Sequence, residues 1–266
     1  MNEAKQPASL IEAARQDDAH QSFSYHGWVV PEYKCLCMTI PKVACTTVKV
    51  TLYYLAGYPV PAQSNDVHGL DVGLFVGKYS TEEIIEILTS PQWVRFCFVR
   101  NPYHRLLSAN KSKIANRGDT QYWWLRNAIR ERFKYPDGNR CRANMVTFAD
   151  FVHFLSDCGG KVRYELKPDA IFDGHFNAQT RILRQDLIEY DFIGRFENFA
   201  ADFKTVLTRL GAPVETVALV SERRNVSAHV PLDEVYNPQL AALTYEVYRN
   251  DFEAFVYGRD SWLCGS

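Results

Sequence analysis

The residue types best suited to chemistry lie together in residues 41–47, which read Pro-Lys-Val-Ala-Cys-Thr-Thr. They supply the ammonium of Lys42 and the hydroxyls of Thr46 and Thr47. If a helix begins here, its first backbone N–H groups lack partners within the helix, and the helix dipole favours an anion at that end. The stretch therefore predicts a phosphate-binding loop. It is not a Walker loop, because Gly-x-x-x-x-Gly-Lys-Ser/Thr is absent from it.

The elements that must position this loop are visible on either side of it. Residues 36–40 form a short apolar run suited to a buried strand. Val48, Leu52 and Leu55 recur at helical spacing before Gly57, a residue type common just past a helix end. The pattern predicts a strand, a turn and a helix, with the turn aimed at the ligand.

A second apolar run, residues 93–99, predicts a parallel strand buried on both faces and delivers Arg100 at its carboxyl end. Pro102 marks the start of the next helix, and Ser108 follows about two turns later. Ligands of open α/β sheets bind beyond the carboxyl ends of the strands. Lys42 and Arg100 are therefore expected to face one ligand.

Several ordered segments of the chain resemble the carbohydrate sulfotransferases of family 2, the chondroitin and dermatan type. Residues 41–47 resemble their 5′-phosphosulfate loop. Residues 98–109 resemble their 3′-phosphate motif, with Asn101 in place of the usual acidic residue. Residues 173–179 and 190–197 resemble two later family segments, and the last helix resembles the closing one. The likeness covers nearly the whole chain.

This resemblance implies an α/β, P-loop-like three-layer sulfotransferase fold with a central parallel sheet flanked by helices. The chain of 266 residues is expected to form one such domain over residues 22–266, after a polar arm of residues 1–21. The implied donor is 3′-phosphoadenosine 5′-phosphosulfate (PAPS), with no metal. The expected donor-binding residues are Lys42, Val43, Ala44, Cys45, Thr46, Thr47, Arg100 and Ser108, together with Arg223 and Arg224 in a late loop.

A base must take the proton of the acceptor hydroxyl, and imidazole suits this task near neutral pH. His68 is the first candidate, because it lies between the two donor motifs, where related enzymes place a catalytic histidine. His175 is the second, with a structural or substrate-binding role as its alternative. Asp66, Asp71 and Glu197 are carboxylate candidates.

The acceptor implied by the resemblance is a carbohydrate hydroxyl, and the charge distribution points to an anionic glycan. Residues 95–142 hold 12 Lys and Arg against three acidic residues, whereas the whole chain carries a net charge of only −1, which argues against a nucleic acid partner. A helix is expected over about residues 121–133. It either offers an aromatic and basic platform to the acceptor or packs Trp123 and Leu125 inward.

Two other classes of function remain open. One is a nucleotide-dependent phosphotransferase (kinase), although the Walker residues and an evident magnesium-binding acid are missing; the other is a non-catalytic nucleotide- or glycan-binding relative. Residues 1–20 contain no apolar segment of the signal-peptide type. We therefore expect a cytoplasmic protein without a transmembrane segment, or one of the Golgi lumen if the chain is part of a longer, anchored protein like the animal family members.

Overall fold

The computed structural model describes residues 11, 23–70, 73–116, 120–133, 146–163, 166, 173–221 and 230–263. The chain divides into two compact units, each of which is described by itself. The first consists of Met1–Arg100 and Gln179–Val226, and the second of Asn101–Ala178 and Ser227–Ser266. The single domain expected over residues 22–266 stays a prediction.

The described helices are numbered here in chain order. They are α1 (Cys45–Leu55), α2 (Thr81–Thr89), α3 (Pro102–Ala109), α4 (Trp123–Arg132), α5 (Phe148–Asp157), α6 (Gln179–Leu183), α7 (Phe199–Arg209), α8 (Val214–Ser221), α9 (Pro238–Val247) and α10 (Arg249–Ala254).

The first unit is built on a four-stranded sheet. Its strands are β1 (Gly27–Val30), β2 (Cys35–Met38), β3 (Val94–Val99) and β4 (Phe192–Arg195), and they lie side by side in that order. The pairs β2–β3 and β3–β4 are parallel. Helix α1 packs against β1 and helix α7 against β4. The predicted α/β architecture with a parallel sheet flanked by helices is confirmed.

The edge strand β1 departs from the parallel arrangement, because it runs antiparallel to β2. Only a single 3₁₀ turn, Pro31–Tyr33, and Lys34 join the two strands. A connection this short cannot cross over the sheet to make a parallel pair. The result is a mixed sheet. Its parallel part, β2 to β4, contains the two strands whose carboxyl ends lead to Lys42 and Arg100.

Strand β3 contains one charged residue, Arg95, within its apolar run. The side chain is buried, and its Nε donates to Asp191 Oδ2 at 2.9 Å while its Nη1 donates to the carbonyl oxygen of Leu88. The backbone N–H of Arg95 donates to the same carboxylate. Paired and hydrogen-bonded in this way, the charge is tolerated in the interior.

The second unit is helical and has an aromatic core. Phe151 packs edge-to-face on Phe176, and Tyr103 packs on Tyr236 and Phe252, with ring centroids 4.8–5.3 Å apart. Such offset and edge-to-face contacts add stability beyond the apolar area that they bury. Helix α9 lies against both α3 and α5. The core thus holds α3, the helix that follows Arg100 in the chain.

Helix α4 confirms the helix expected near residues 121–133 but reverses one expectation about its packing. Trp123 is 62% exposed, whereas Trp124 and Leu125 are buried. The buried face is formed by Trp124, Leu125 and Ile129, so the tryptophan predicted to pack inward is the wrong one of the pair. Whether α4 serves as an acceptor platform stays a prediction.

Candidate active site

The predicted phosphate-binding loop has the expected strand, turn and helix around it. Strand β2 ends at Met38, a turn follows, and α1 begins at Cys45. Lys42 and Ala44 both adopt left-handed backbone conformations, with φ of 71° and 49°. Because a side chain at positive φ crowds the backbone, each such residue costs about 1–2 kcal/mol. Strain of this kind is tolerated where the shape of a loop matters.

The N-terminus of α1 is open to an anion. Its N-cap residue is Ala44, whose side chain cannot accept a hydrogen bond, and the first turn contains no acidic residue. The first-turn N–H groups, those of Cys45, Thr46 and Thr47, are thus left without the capping side chain that usually satisfies them. Cys45 and Thr46 are half-buried and Thr47 is buried. The predicted cradle residues are contiguous and fit an anionic ligand.

Arg100 is fixed beside this loop. Its Nη1 donates to the carbonyl oxygen of Lys42 at 3.0 Å, and its guanidinium carbon lies 4.0 Å from the centre of the Phe196 ring. The fully buried side chain of Gln179 pairs with the Arg100 backbone in both directions, accepting from its N–H at 2.9 Å and donating to its carbonyl at 2.8 Å. The structure therefore brings Lys42 and Arg100 together, as predicted, and adds Gln179 as the residue that holds Arg100.

The first candidate base, His68, lies on the first turn of α1. Its Nε2 is 3.0 Å from Thr46 Oγ1, and its Nδ1 is 3.5 Å from Lys49 Nζ. The second distance is long for a hydrogen bond, so Lys49 acts on the ring chiefly through its charge. A cation at this position opposes protonation of the imidazole and favours the neutral form, which can accept a proton.

Lys49 was given no role by the sequence reading. It is 2% exposed, and its ammonium nitrogen lies 4.8 Å from the centre of the Tyr25 ring and 5.2 Å from that of Trp28. Burial lowers the pKa of Lys49, while Cys45 and Cys37 oppose this. In the sequence Lys49 follows the loop that resembles the 5′-phosphosulfate loop and lies one helical turn after Thr46; neither feature reveals the contact with His68.

The second candidate base, His175, belongs to a hydrogen-bonded cluster in the second unit. Its Nδ1 lies 3.0 Å from Asp173 Oδ1 and 3.0 Å from the Tyr122 hydroxyl oxygen. The Tyr122 hydroxyl donates its hydrogen to Asp173 Oδ2 at 2.7 Å. Both atoms facing Nδ1 are therefore acceptors, which places the ring proton on Nδ1 and the lone pair of the neutral ring on Nε2.

The carboxylate of this cluster is held in its charged form. Burial raises the pKa of Asp173, but hydrogen bonds from His175 and Tyr122, together with the charge of His175, outweigh burial and leave the pKa below its usual value. The side chain of Asp173 is only 4% exposed, against 29% for that of His175. A buried carboxylate behind a partly exposed imidazole orients the ring and stabilises its protonated form.

The backbone around His175 is anchored by side chains of the same unit. Arg105 donates to the carbonyl oxygens of Asn177 and Gly174, each at 2.8 Å. The Tyr248 hydroxyl donates to the carbonyl of Phe176 at 2.7 Å. The family-like segment of residues 173–179 is thus held rigidly on a scaffold, which was not foreseen from the sequence.

The model of the Sulfotransferase family matches residues 25–258.

The chain belongs to the Sulfotransferase family.

Its relatives include several carbohydrate sulfotransferases. Carbohydrate sulfotransferase 9 of Homo sapiens is 25% identical over 255 residues, which cover 90% of this chain and 55% of the relative. Carbohydrate sulfotransferase 8 of Homo sapiens is 26% identical over 244 residues, covering 87% and 55%. Carbohydrate sulfotransferase 14 of Danio rerio is 31% identical over 191 residues, covering 71% and 49%. This chain spans about half the length of these relatives, and no solved structure matches it.

The other predicted donor-binding and candidate base residues stay predictions. Ser108 lies half-buried in the second turn of α3. Arg223, Arg224 and Asp71 lie outside the described residues. Within the part of the chain that the structure describes, no His, Cys, Asp and Glu side chains are grouped to hold a metal ion. The described helices include none with the length and apolar content needed to cross a membrane.

Proposed function

We propose that this protein transfers a sulfuryl group from PAPS to a hydroxyl group of a carbohydrate. The observation that carries the proposal is the uncapped N-terminus of α1, which has Lys42 at its edge and Arg100 bonded to the same turn. Membership of the Sulfotransferase family supports the reaction class, and the names of the relatives support a carbohydrate acceptor.

The residues of the first unit divide the task of binding the donor. Lys42 and the backbone N–H groups from Ala44 to Thr47 would hold the 5′-phosphosulfate, because they present positive charge and donors at one helix end. The N–H of Val43, also predicted to bind the donor, instead donates to the carbonyl of Ile40 at 3.2 Å. Arg100 would bind the 3′-phosphate, since a guanidinium matches the geometry of phosphate oxygens. Ser108, from the matching motif, and Arg223 and Arg224 complete the proposed set.

The chemistry asked of these residues is electrostatic. Sulfuryl transfer, like phosphoryl transfer, needs the acceptor oxygen, the sulfur and the leaving phosphate oxygen in line, and the charge that grows on the leaving oxygen must be neutralised. Lys42 and the first-turn N–H groups of α1 are suited to that neutralisation because they are in place before the reaction begins.

His68 is the proposed base, since it is the titratable side chain that contacts the first turn of α1, at Thr46. The ammonium of Lys49, 3.5 Å from His68 Nδ1, would oppose a second positive charge on the ring, and a neutral imidazole can accept the acceptor proton.

His175 is the second candidate, and the observation that favours it is the buried Asp173 carboxylate at its Nδ1. The two histidines differ in their charged neighbours, a cation for His68 and an anion for His175. Their variants therefore distinguish them: replacement of the true base should lower kcat by about 10²–10⁴-fold and remove the acidic limb of the pH profile. Replacement of the other should leave that limb in place.

Calorimetric titration with adenosine 3′,5′-bisphosphate, AMP and ATP with magnesium tests the donor site directly. We expect binding that requires the 3′-phosphate and that weakens in Lys42→Ala and Arg100→Ala. Lys204→Ala, on the exposed face of α7, serves as a matched control for the loss of one positive charge. A preference for ATP would replace the proposal with a phosphotransferase. Binding of the bisphosphate without sulfate transfer to any glycan would indicate a non-catalytic relative.

A further inference from the structure

An open cleft adjoins His68 on the surface of the first unit. It encloses about 540 Å³, within the range of about 300–1,000 Å³ that is usual for small-molecule sites. Its lining includes Ser24, Tyr25, His68, Leu70, Phe75 and Lys78. Nε2 of His68, the candidate base, therefore contacts Thr46 of the predicted phosphate-binding loop, and the same side chain forms part of the cleft wall.

Two aromatic side chains form the apolar part of this wall. The rings of Tyr25 and Phe75 are stacked, with centroids 5.6 Å apart and planes 15° from parallel. Tyr25 is 46% exposed, although aromatic residues of this size are usually more deeply buried. Its hydroxyl contacts the backbone oxygen of His68 at 3.4 Å. Exposed, immobilised aromatic surface beside a few polar groups is the typical composition of a ligand site, and it suits the C–H face of a sugar ring.

The described residues that line the cleft give it a positive charge. Among the described residues that line it, Lys78 carries the one permanent charge, and this side chain is exposed. Behind the wall, the ammonium of Lys49 lies 4.8 Å from the centre of the Tyr25 ring. Both cations favour a ligand that bears a carboxylate or sulfate group.

We propose that this cleft binds the acceptor, which is an acidic sugar chain. One sugar ring packs on Tyr25 and Phe75, and an anionic group of the chain lies near Lys78. The reactive hydroxyl of the acceptor faces His68. The inference rests on the proposed function and adds to it the place and the charge of the acceptor. The favoured chemistry is a glycan containing uronic acid or already sulfated sugars, and a neutral glycan should bind more weakly.

The test measures acceptor binding apart from donor binding. Two oligosaccharides of equal length, one containing glucuronate and one neutral, are titrated into the full chain saturated with adenosine 3′,5′-bisphosphate. We expect Tyr25→Ala to weaken both by about 5- to 10-fold, as loss of an aromatic contact does. Lys78→Ala should weaken only the acidic oligosaccharide, by about two- to fivefold at low salt, with the difference fading at high salt.

Three comparisons keep the outcome interpretable. Tyr25→Phe retains the ring and should bind both sugars nearly normally, and Lys204→Ala should behave as wild type. Affinity for the bisphosphate should be unchanged in every variant. Acceptor affinities that are unaltered in both Tyr25→Ala and Lys78→Ala, or a wild-type chain that binds neither oligosaccharide, overturn the inference. Failure of bisphosphate binding in the wild type overturns the proposed function instead.

Discussion

Replacing Lys49 with methionine should shift the pH dependence of activity while leaving the free energy of unfolding nearly unchanged. Methionine keeps the length and apolar character of the buried side chain but removes the charge beside His68. Without that charge the imidazole protonates more readily. Activity that depends on neutral His68 should therefore be lost at a higher pH than in the wild type.

The size of the change follows from the separation of 3.5 Å between Lys49 Nζ and His68 Nδ1. Two unit charges at this distance repel by about 1.2 kcal/mol in a water-like dielectric and by about 4.7 kcal/mol at an effective dielectric of about 20. Since about 1.36 kcal/mol corresponds to one pH unit, the acidic limb should move up by about 0.9 to 3.5 pH units.

The free energy of unfolding should change little in this variant. Burial lowers the pKa of Lys49, which means that its charge is disfavoured in the folded state. Methionine removes that cost but also the two cation–aromatic contacts, each worth about 0.5–2 kcal/mol. The opposing terms should leave the free energy of unfolding within about 2 kcal/mol of the wild type.

Two measurements check this prediction. One is the pH dependence of sulfate transfer from labelled PAPS to an oligosaccharide. The other is an NMR titration of the His68 ring, assigned with a His68→Asn variant, which needs no acceptor. Lys204→Met, on an exposed helix face, is the control. If the acidic limb and the ring titration stay where they are in the wild type, Lys49 does not set the charge state of His68. If only the ring titration moves, His68 is not the base.

Three further predictions concern the scaffold. If His175 is the base, Asp173→Asn should lower kcat by at least tenfold and move the acidic limb to lower pH, because the imidazolium loses the carboxylate that stabilises it. Bisphosphate affinity should be unchanged in calorimetry. A kcat at the wild-type level would leave the carboxylate a structural role only. Burial raises the pKa of Asp191, but hydrogen bonds from the side chain and backbone of Arg95 outweigh burial and leave the pKa below its usual value. The charged carboxylate therefore stabilises the fold at pH values above the pKa that Asp191 has in the unfolded chain. This stabilisation is lost as the pH falls through the pKa of Asp191 in the folded protein. Chemical denaturation at several pH values should show that loss in the wild type and not in Asp191→Asn. Gly194→Ala would place a methyl carbon 2.5 Å from the phenylalanine ring of the neighbouring strand, and we expect it to cost about 1–3 kcal/mol in thermal unfolding; an unchanged Tm would show that the ring can move aside.

The parts of the site that follow from local signals could be predicted from the sequence. An apolar run, a turn and a helical repeat lie next to one another around Lys42, and a second strand ends directly at Arg100. The rule that parallel strands present their carboxyl ends at one edge then brings the two residues together. Capping boxes at Ser80 and Thr147 begin α2 and α5 in the structure, and the residue spacing that forms such a box is a local signal of the same kind.

The contacts that refine the site could not be read in this way. Gln179 and Arg100 are 79 residues apart, and Tyr122 and Asp173 are 51 apart. Amphipathic spacing reports which face of an element is buried but not which side chain from elsewhere meets it. The same limit explains the error at Trp123, because two adjacent tryptophans leave the phase of a helix undecided until its neighbours are known.

The left-handed pair in the phosphate-binding loop has a consequence for the thermodynamics of donor binding. Glycine at Lys42 or Ala44 would relieve the strained conformation, but a glycine loop samples many shapes and must surrender that freedom when a ligand orders it. Side chains at both positions restrict the loop in advance. The strained loop lowers folding stability, but it would reduce the entropic penalty of binding the proposed donor.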